Sequence, residues 1–444
     1  MQDTFLKGIG LSVYQNSGDE TSNWTKFIRE SGRVKDADQI TVACDFWNRY
    51  EEDIALAKEF GINAFRLSLE WSRLEPRQGE FDEEAIQRYR DIFQCLERHR
   101  LEPMVTLHHF THPQWFEDLG GFTKEENTQL FVNYCAKAFS LFGSRIRLWG
   151  TINEATCVCF CGYVMGIWPP GNRMNFKMAG VVLLNMLRAH TAVYNAIKAL
   201  PGGQDAEVGM VHQHMRFEPK ANGFSTSYIR PLTNWMTFWF GCDVILKYFQ
   251  TGEFEWRAPM KGVVLKAKDY KPPLDWWGIN YYSRLTIDWK FQVGGTNGEG
   301  ISDTGFPIHP AGMYRAIKDS SSLGVPIYIT EWGMADGKDS RRHHLIGSYF
   351  NQIWKAMSEG HDVRGIFYWT LMDNIEWHEG YHIKYGLYEW NCSDPERRTL
   401  RPHSKVLETI YKAVPDTIEE IKKSHNSAQP QEQVVTLEAL DAGK

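Results

Sequence analysis

Two glutamates in this chain each follow directly after a run of strand-forming residues. The first run, LWGTIN at 148–153, leads to Glu154, and the second, PIYIT at 326–330, leads to Glu331. The two segments are far apart along the chain, so only the fold can bring them together. Two carboxylates at strand ends suit a reaction that needs one acid/base and one nucleophile. Cleavage of a glycosidic bond is the commonest reaction of that kind.

The elements that must position these glutamates follow a repeating pattern. Helix-like stretches with apolar residues three and four positions apart occupy 51–61, 83–100 and 128–143. Short β-like runs alternate with such stretches at 8–15, 64–71, 103–110, 148–154, 208–214, 275–282, 326–333 and 365–373. Eight alternations predict an α/β fold, a single (β/α)₈ TIM barrel over residues 1–424. The stretches after 154, 214 and 282 are long and predict loops over the C-terminal face, where active sites of this fold lie.

Composition excludes several classes of function. The chain has 444 residues and a net charge of −6, so it has no basic excess to bind nucleic acid or anionic membrane. No apolar run is long enough to cross a bilayer, and we interpret 234–249 as one buried amphipathic helix. The N-terminal residues lack the pattern of a secretory signal, which favours a cytoplasmic protein. The polar segment 425–444 is predicted to be a disordered tail. The oligomeric state stays open.

The cysteines do not suggest redox or metal chemistry. The chain has eight, and Cys157, Cys159 and Cys161 alternate, a spacing that favours neither a CxxC pair nor a zinc site. We expect free buried thiols in a reducing compartment, with no metal and no cofactor.

Polar and aromatic side chains gather at the ends of the predicted strands. If the barrel forms, they converge on one mouth. Amide, imidazole and carboxylate groups beside indoles match a sugar's hydroxyl edge and apolar face. The residues at these ends are Gln15, Arg66, Glu70, Trp71, His108, His109, Asn153, Glu154, Asn280, Tyr282, Glu331, Trp369, Glu376 and Trp377.

Six motifs together resemble one family. They are TINE, ITEWG, RLSLEWSRLEP (66–76), TLHHF (106–110), GINYYS (278–283) and WTLMDNIEWHEGY (369–381). In order and spacing they are similar to the motifs of family 1 glycoside hydrolases, the β-glucosidase/β-galactosidase group, over residues 5 to 415 or so. The resemblance implies a retaining β-glycosidase that acts on small-molecule β-glucosides or β-galactosides without a cofactor.

The resemblance also implies roles for single residues. Glu154 would be the general acid/base and Glu331 the nucleophile. Arg66, Tyr282 and Asn280 would support the nucleophile. The residues implied to bind the sugar are Gln15, His109, Asn153, Trp369, Glu376 and Trp377.

The physical chemistry of the two glutamates fits these roles. An arginine beside Glu331 would keep it ionised, while an enclosed Glu154 could hold the proton that the leaving oxygen needs. Retention implies carboxyl groups about 5–5.5 Å apart. The alternative is that both glutamates belong to structural ion pairs. We favour catalysis because they occur as a pair within matched motifs. His108 and Glu70 we interpret as structural.

Three positions depart from the family pattern. Ala155 stands where the family has proline after the acid/base, and Trp332 where it has asparagine after the nucleophile. Phe306 replaces an aglycone-stacking tryptophan. The Trp332 indole could crowd the sugar pocket or could point away into packing. These departures affect the choice of substrate more than the type of reaction.

The sequence also restricts which sugar (the glycone) the enzyme would release. A carboxylate at Glu376 would repel a sugar 6-phosphate, although Lys384 and Tyr385 nearby keep phosphorylated substrates open. The family's thioglucosidases carry glutamine at the acid/base, so Glu154 favours an O-glycosidase. Two other functions remain as alternatives, a non-catalytic sugar- or receptor-binding protein on the same barrel, and a transglycosylase.

Overall fold

A computed structural model describes residues 3–40, 42–220, 225–296 and 298–427 of the chain. The strands in chain order are β1 Leu6–Gly10, β2 Ala64–Ser68, β3 Glu102–His108, β4 Leu148–Asn153, β5 Glu207–Gln213, β6 Phe217–Pro219, β7 Glu253–Ala258, β8 Gly262–Lys268, β9 Trp276–Tyr281, β10 Leu285–Ile287, β11 Val293–Gly294, β12 Ile327–Trp332, β13 Val363–Trp369, β14 Tyr388–Glu389 and β15 Thr399–Leu400. The helices are α1 Val13–Ser17, α2 Asn23–Ser31, α3 Phe46–Lys58, α4 Trp71–Leu74, α5 Glu83–Arg98, α6 Gln114–Asp118, α7 Thr128–Phe142, α8 Ala155–Cys159, α9 Phe176–Ala199, α10 Ser225–Trp239, α11 Cys242–Thr251, α12 Ala311–Ser320, α13 Arg342–Ser358, α14 Lys405–Ala413 and α15 Ile418–Ser427.

The predicted TIM barrel is confirmed. Its eight strands close in the order β1-β13-β12-β9-β5-β4-β3-β2, and neighbouring strands run parallel. Each of the eight predicted β-like runs overlaps one of these strands. Strands such as β2 and β4 are buried along their whole length because the barrel interior lies on one side and helices on the other.

The barrel interior is filled rather than hollow. One side chain from each strand meets in a single cluster, formed by Leu6, Ala64, Met104, Leu148, Val211, Trp276, Tyr328 and Phe367. Gly209 lies on β5 against the Trp276 ring, and a Cβ at this glycine would come within 2.3 Å of the indole. The interior is therefore a packed core, and chemistry is confined to the strand ends above it.

Strand ends on the C-terminal side form the mouth of the barrel, and a small sheet rises beside it. Strand β10 pairs in parallel with β6 and antiparallel with β11. Because β6 follows β5 and β10 follows β9, this sheet continues two neighbouring barrel strands beyond the mouth. We call β6, β10 and β11 the mouth sheet.

Two predicted elements differ from the structure. The first run, 8–15, was expected to be a strand throughout, but β1 ends at Gly10, and Gln15 lies on α1, which Ser12 caps. The single helix expected at 234–249 is two helices, α10 and α11. They separate at Gly241, whose φ of 85° an α-helix does not accommodate.

The C-terminal tail prediction is only partly covered by the described residues. Helix α15 extends to Ser427, so 425–427 are helical rather than disordered. The rest of the predicted tail, 428–444, lies outside the described residues. Among the residues that are described, no helix combines the length and apolarity needed to cross a membrane.

The cysteines are free thiols. Seven of them are buried, and the eighth, Cys392, is exposed.

Candidate active site

Both glutamates lie at the mouth of the barrel. Glu154 follows β4 in a left-handed conformation, with φ of 46°, and its backbone N–H donates to the Val211 carbonyl at 2.9 Å. Glu331 lies near the end of β12, where the pairing with β9 shifts register between Ile329 and Glu331. Irregular backbone of this kind re-aims a side chain at a strand end. Only 5% of Glu154 and 3% of Glu331 is exposed.

Each oxygen of the Glu331 carboxylate accepts a short hydrogen bond. Arg66 Nη1 donates to Oε1 at 2.6 Å, and the Tyr282 hydroxyl donates to Oε2 at 2.6 Å. Burial raises the pKa of Tyr282 well above its ordinary value, so the phenol keeps its proton and stays a donor. These two bonds fix the orientation of the carboxylate.

Glu154 has a different environment. Asn280 Nδ2 donates to its Oε1 at 2.6 Å, and the Thr330 hydroxyl donates to Asn280 Oδ1 at 2.7 Å, which fixes the direction of the amide. Burial, and after it the nearby charge of Glu331, raises the pKa of Glu154 to about 8. Glu154 is therefore mostly protonated at neutral pH.

A chain of hydrogen bonds joins the two glutamates. Arg66 Nη2 donates to Asn153 Oδ1 at 2.7 Å, and Asn280 Nδ2 donates to the same oxygen at 3.1 Å. Arg66 holds Glu331 and Asn280 holds Glu154, so Asn153 links the two halves of the site. The structure thus brings together four polar residues that the sequence analysis placed around the two carboxylates, Arg66, Asn153, Asn280 and Tyr282.

Aromatic rings form one wall of the site. The His109 ring stacks on Trp369, with centroids 5.6 Å apart and planes 9° from parallel. The Trp377 ring lies 6.2 Å from the His109 ring and also stacks on Tyr14. Burial, with the Arg66 charge, lowers the pKa of His109 well below its ordinary value, so this imidazole is neutral.

Gln15 and Glu376 form a polar corner of the site. Gln15 Nε2 donates to the Ile375 carbonyl at 2.9 Å and lies 3.5 Å from Glu376 Oε2. Burial, together with the charges of Glu331 and Glu154, raises the pKa of Glu376 to about 8. Among the described residues, Gln15 Oε1 and Asn153 Nδ2 are buried without a hydrogen-bond partner. Unpaired buried amides indicate atoms that a ligand completes.

The departure at Trp332 does not enter the site. Its side chain is 1% exposed, belongs to the main core between strands and helices, and meets the Tyr368 ring edge-on at 5.6 Å. Of the two alternatives for this indole, the structure supports packing over crowding of the pocket. Phe306 is half-buried and packs on a cluster that includes Phe217 and Leu285 of the mouth sheet.

We expect Trp332→Ala to reduce stability and to leave sugar selection unchanged. Removing a buried indole costs about 3–5 kcal/mol in free energy of unfolding because a cavity remains. Chemical denaturation of both proteins would give that difference, and KM ratios between sugars would report selection. A changed ratio of KM values without loss of stability would contradict the packing role.

Two side chains at the mouth escaped the sequence analysis. Gln213 ends β5 and lies opposite Asn280 in the strand register. The Cys157 thiol, on α8 just after Glu154, donates to Gln213 Oε1 at 2.7 Å. Gln213 could have been predicted from the sequence, because it is a polar side chain at the end of a strand-like run, like the residues assigned to the mouth in the sequence analysis. No such feature of the sequence pointed to Cys157.

Comparison with known proteins agrees with this fold. β-Glucosidase A of Thermotoga maritima is 28% identical, over 88% of this chain and 94% of its own. The 6-phospho-β-galactosidase of Clostridium acetobutylicum is also 28% identical, over 87% of this chain and 92% of its own. A solved structure, a β-glycosidase from Pyrococcus horikoshii, superimposes with a TM-score of 0.82 at 30% identity and covers 96% of this chain and 97% of its own.

The fold and the site define a barrel enzyme of the glycoside hydrolase class. The model of glycosyl hydrolase family 1 matches residues 12–414, and the chain belongs to that family.

Proposed function

We propose that this enzyme is a retaining β-glycosidase that hydrolyses neutral β-glucosides or β-galactosides by double displacement. Glu331 is the nucleophile and Glu154 the general acid/base. The observation that carries the proposal is the contrast between the two carboxyl groups. Arg66 and Tyr282 hold Glu331, whereas Glu154 is buried against an amide and has a raised pKa.

The reaction follows from that contrast. Glu331 attacks the anomeric carbon while Glu154 gives its proton to the leaving oxygen, and the sugar becomes an ester of Glu331. Ester formation removes the negative charge beside Glu154, which then acts as base toward the attacking water. A second attack from the opposite side releases the sugar with its original configuration.

The remaining residues of the site bind the sugar in this proposal. Trp369 supplies an apolar face, and His109 is a neutral hydrogen-bond partner. Asn153 Nδ2 and Gln15 Oε1, which lack partners within the described part of the chain, pair with sugar hydroxyls. Glu376 accepts hydrogen bonds from the far hydroxyls, and Trp377 adds a contact.

A phosphorylated glycone is disfavoured. A 6-phosphate would bring its charge into the buried corner beside the Glu376 carboxyl, and a buried charge needs a compensating cation. Lys384 does not supply it, because its Nζ donates to the Trp390 carbonyl at 3.1 Å and lies 3.9 Å from Asp373. Tyr385 packs against Tyr282, with ring centroids 5.5 Å apart.

Release of nitrophenol from matched substrates tests the glycone. The panel contains the β-glucoside, β-galactoside, β-fucoside, β-mannoside and β-glucoside 6-phosphate. We expect turnover on a neutral sugar, with kcat/KM at least about ten-fold above that on the phosphate, because burying a phosphate without a paired cation costs over 1 kcal/mol. Turnover of the 6-phosphate alone would overturn the role given to Glu376.

Two alternatives share this fold. A transglycosylase would use the same intermediate with a sugar as acceptor, and product analysis with added acceptor separates the two. A non-catalytic binding protein would not need the proton donor and the oriented carboxylate that this mouth retains. A Trp332 indole that crowded the sugar pocket would have favoured a binding protein, but this indole lies in the core.

The proposal extends to location and partners. We infer that the enzyme works in the cytoplasm as one barrel unit over residues 1–424, with a small β-glycoside as its partner. Free buried thiols are typical of a reducing compartment and support this location.

A further inference from the structure

The Cys157 thiol lies between Glu154 and a glutamine that the proposed mechanism does not use. Helix α8 begins directly after Glu154, and the Cys157 backbone N–H donates to the Glu154 carbonyl at 2.9 Å. The thiol donates to Gln213 Oε1 at 2.7 Å and is also within hydrogen-bonding reach of the Glu154 carboxyl group. Only 4% of Cys157 is exposed, so water has little access to this group. One S–H group therefore has two acceptors and a single hydrogen to donate.

The surroundings keep this thiol protonated. Burial, and after it the negative charge of Glu154, raises the pKa of Cys157 well above its ordinary value. A thiolate nucleophile or metal ligand needs the opposite, a lowered pKa. Cys157 is therefore a hydrogen-bond donor. Rotation about its Cβ–Sγ bond turns the hydrogen from one acceptor to the other without moving any heavier atom.

The barrel holds Gln213 beside the acid/base. Gln213 ends β5 and lies opposite Asn280 of β9 in the strand register, and Asn280 donates to Glu154 Oε1 at 2.6 Å. Cys157 and Asn280 thus reach the same carboxyl group from two elements, α8 and β9. Burial, with the charge of Glu331, raises the pKa of Glu154, and the hydrogen bonds from Asn280 and Cys157 oppose that rise. A hydrogen bond donated to a carboxylate favours its charged form.

From this geometry we propose that Cys157 is a positioning residue for Glu154, whose thiol donates to Gln213 while Glu154 is protonated and turns to Glu154 once that proton has left. The inference rests on the proposed function and adds a residue that acts in the second half of the reaction. In the glycosyl-enzyme, Glu154 is a carboxylate that accepts a proton from the attacking water. The thiol orients this carboxylate and stabilises its charge. The hydrogen stays on sulfur throughout, and no bond to sulfur forms or breaks.

Several other groups also affect the charge of Glu154, and all of them stay unchanged in the variants below. A change in the pKa of Glu154 after substitution of Cys157 or Gln213 therefore reports the hydrogen bonding of the thiol. The other groups around this carboxyl are Arg66 on β2, Tyr282 after β9, Glu331 on β12, Glu376 and Tyr385 after β13, and Cys161 after α8.

Two substitutions are expected to move the alkaline limb of kcat/KM, measured with an alkyl glycoside, in opposite directions. Cys157→Ala removes a donor to the carboxylate, so the limb should move to higher pH. Gln213→Leu removes the competing acceptor, so the thiol donates to Glu154 throughout and the limb should move to lower pH. Cys157→Ser keeps a donor and should restore the limb to near its wild-type position. Loss of packing alone would not give shifts of opposite sign.

Steady-state kinetics locate the effect in the second half of the reaction. With dinitrophenyl glycosides, whose leaving group needs no proton, water attack on the glycosyl ester limits kcat. In Cys157→Ala this kcat should fall about three- to ten-fold, the effect of one hydrogen bond. The kcat/KM for the same substrates should stay near wild type, so KM falls with kcat. Cys159→Ala is the matched control, because Cys159 lies on the same helix, is buried in the main core and should leave both constants and the alkaline limb unchanged.

A titration that needs no turnover separates this proposal from the proposed function. Carbon-13 NMR of the enzyme labelled at the glutamate carboxyl carbons follows Glu154 directly, and Glu154→Gln assigns its signal. We expect the pKa of Glu154 to rise in Cys157→Ala and to fall in Gln213→Leu. These shifts in an enzyme that turns over no glycoside would count against the proposed function alone. An unchanged pKa in both variants, shifts of the same sign, or a Cys157→Ser variant that behaves like Cys157→Ala would overturn the role of the thiol.

Discussion

Replacement of Glu331 by glutamine is expected to lower turnover of β-glycosides by about 10⁵-fold, as the loss of a covalent nucleophile does in other enzymes. The amide keeps the shape of the side chain but cannot attack the anomeric carbon. Glutamine is preferred to alanine because Arg66 is buried, and removing its partner leaves an uncompensated charge that costs about 3–5 kcal/mol. Steady-state rates with nitrophenyl glycosides measure the effect, and circular dichroism shows whether the fold persists.

Glu379 provides a matched control. Glu379 pairs with Lys35 near the surface, so Glu379→Gln should keep activity within a few-fold of wild type. Azide adds a second readout. In Glu331→Ala it can enter the space left by the carboxylate and attack from that side, which gives an α-glycosyl azide. A β-configured azide product, or wild-type turnover by Glu331→Gln, would show that another group is the nucleophile.

Replacement of Glu154 by glutamine is expected to separate substrates by their leaving groups. For an alkyl or sugar leaving group, kcat/KM should fall about 10³-fold, because the departing oxygen needs a proton. For dinitrophenyl glycosides kcat/KM should fall less than about ten-fold, since that group leaves unaided. Their kcat should still fall, because water attack on the glycosyl ester loses its base. Equal losses of kcat/KM across leaving groups would contradict the acid role.

The pH profile tests the same residue. Glu154 works in its protonated form, so activity should be lost as pH rises through the raised pKa of about 8. For wild type, kcat/KM toward an alkyl glycoside should therefore decline on the alkaline side near pH 8. In Glu154→Gln that decline should disappear, because the amide does not titrate. Persistence of the same alkaline limb in the variant would assign it to another group, and Glu376, whose pKa is also raised to about 8, is the first to examine.

The sequence was sufficient to predict the barrel and most of the residues that line the site. All eight strand runs were predicted because parallel strands buried on both faces are continuous apolar segments in the sequence. These segments end in polar side chains, and those side chains lie together at the mouth of the barrel. In the structure Arg66 and Tyr282 each donate a hydrogen bond to Glu331, the arrangement that the resemblance implied. The roles of these residues in catalysis stay predictions until variants are measured.

Features that depend on tertiary context were not predicted. The residues of run 8–15 form one uninterrupted strand-like pattern in the sequence, but Gln15 lies on a short helix that follows the strand. The direction of the Trp332 side chain depends on the packing of β12 against the outer layer, which a single sequence does not reveal. Cys157 meets Gln213 only because α8 and β5 come together above the barrel, and no spacing in the chain encodes that contact.

The distribution of the thiols has a practical consequence. Because Cys392 is exposed while the other seven cysteines are buried, a maleimide reagent should modify the native enzyme at one position. Cys392 lies in the segment between β14 and β15, away from Glu154 and Glu331 in the chain. The protein therefore carries a natural attachment point for a fluorophore or a solid support, and it can be labelled or immobilised without engineering a new cysteine.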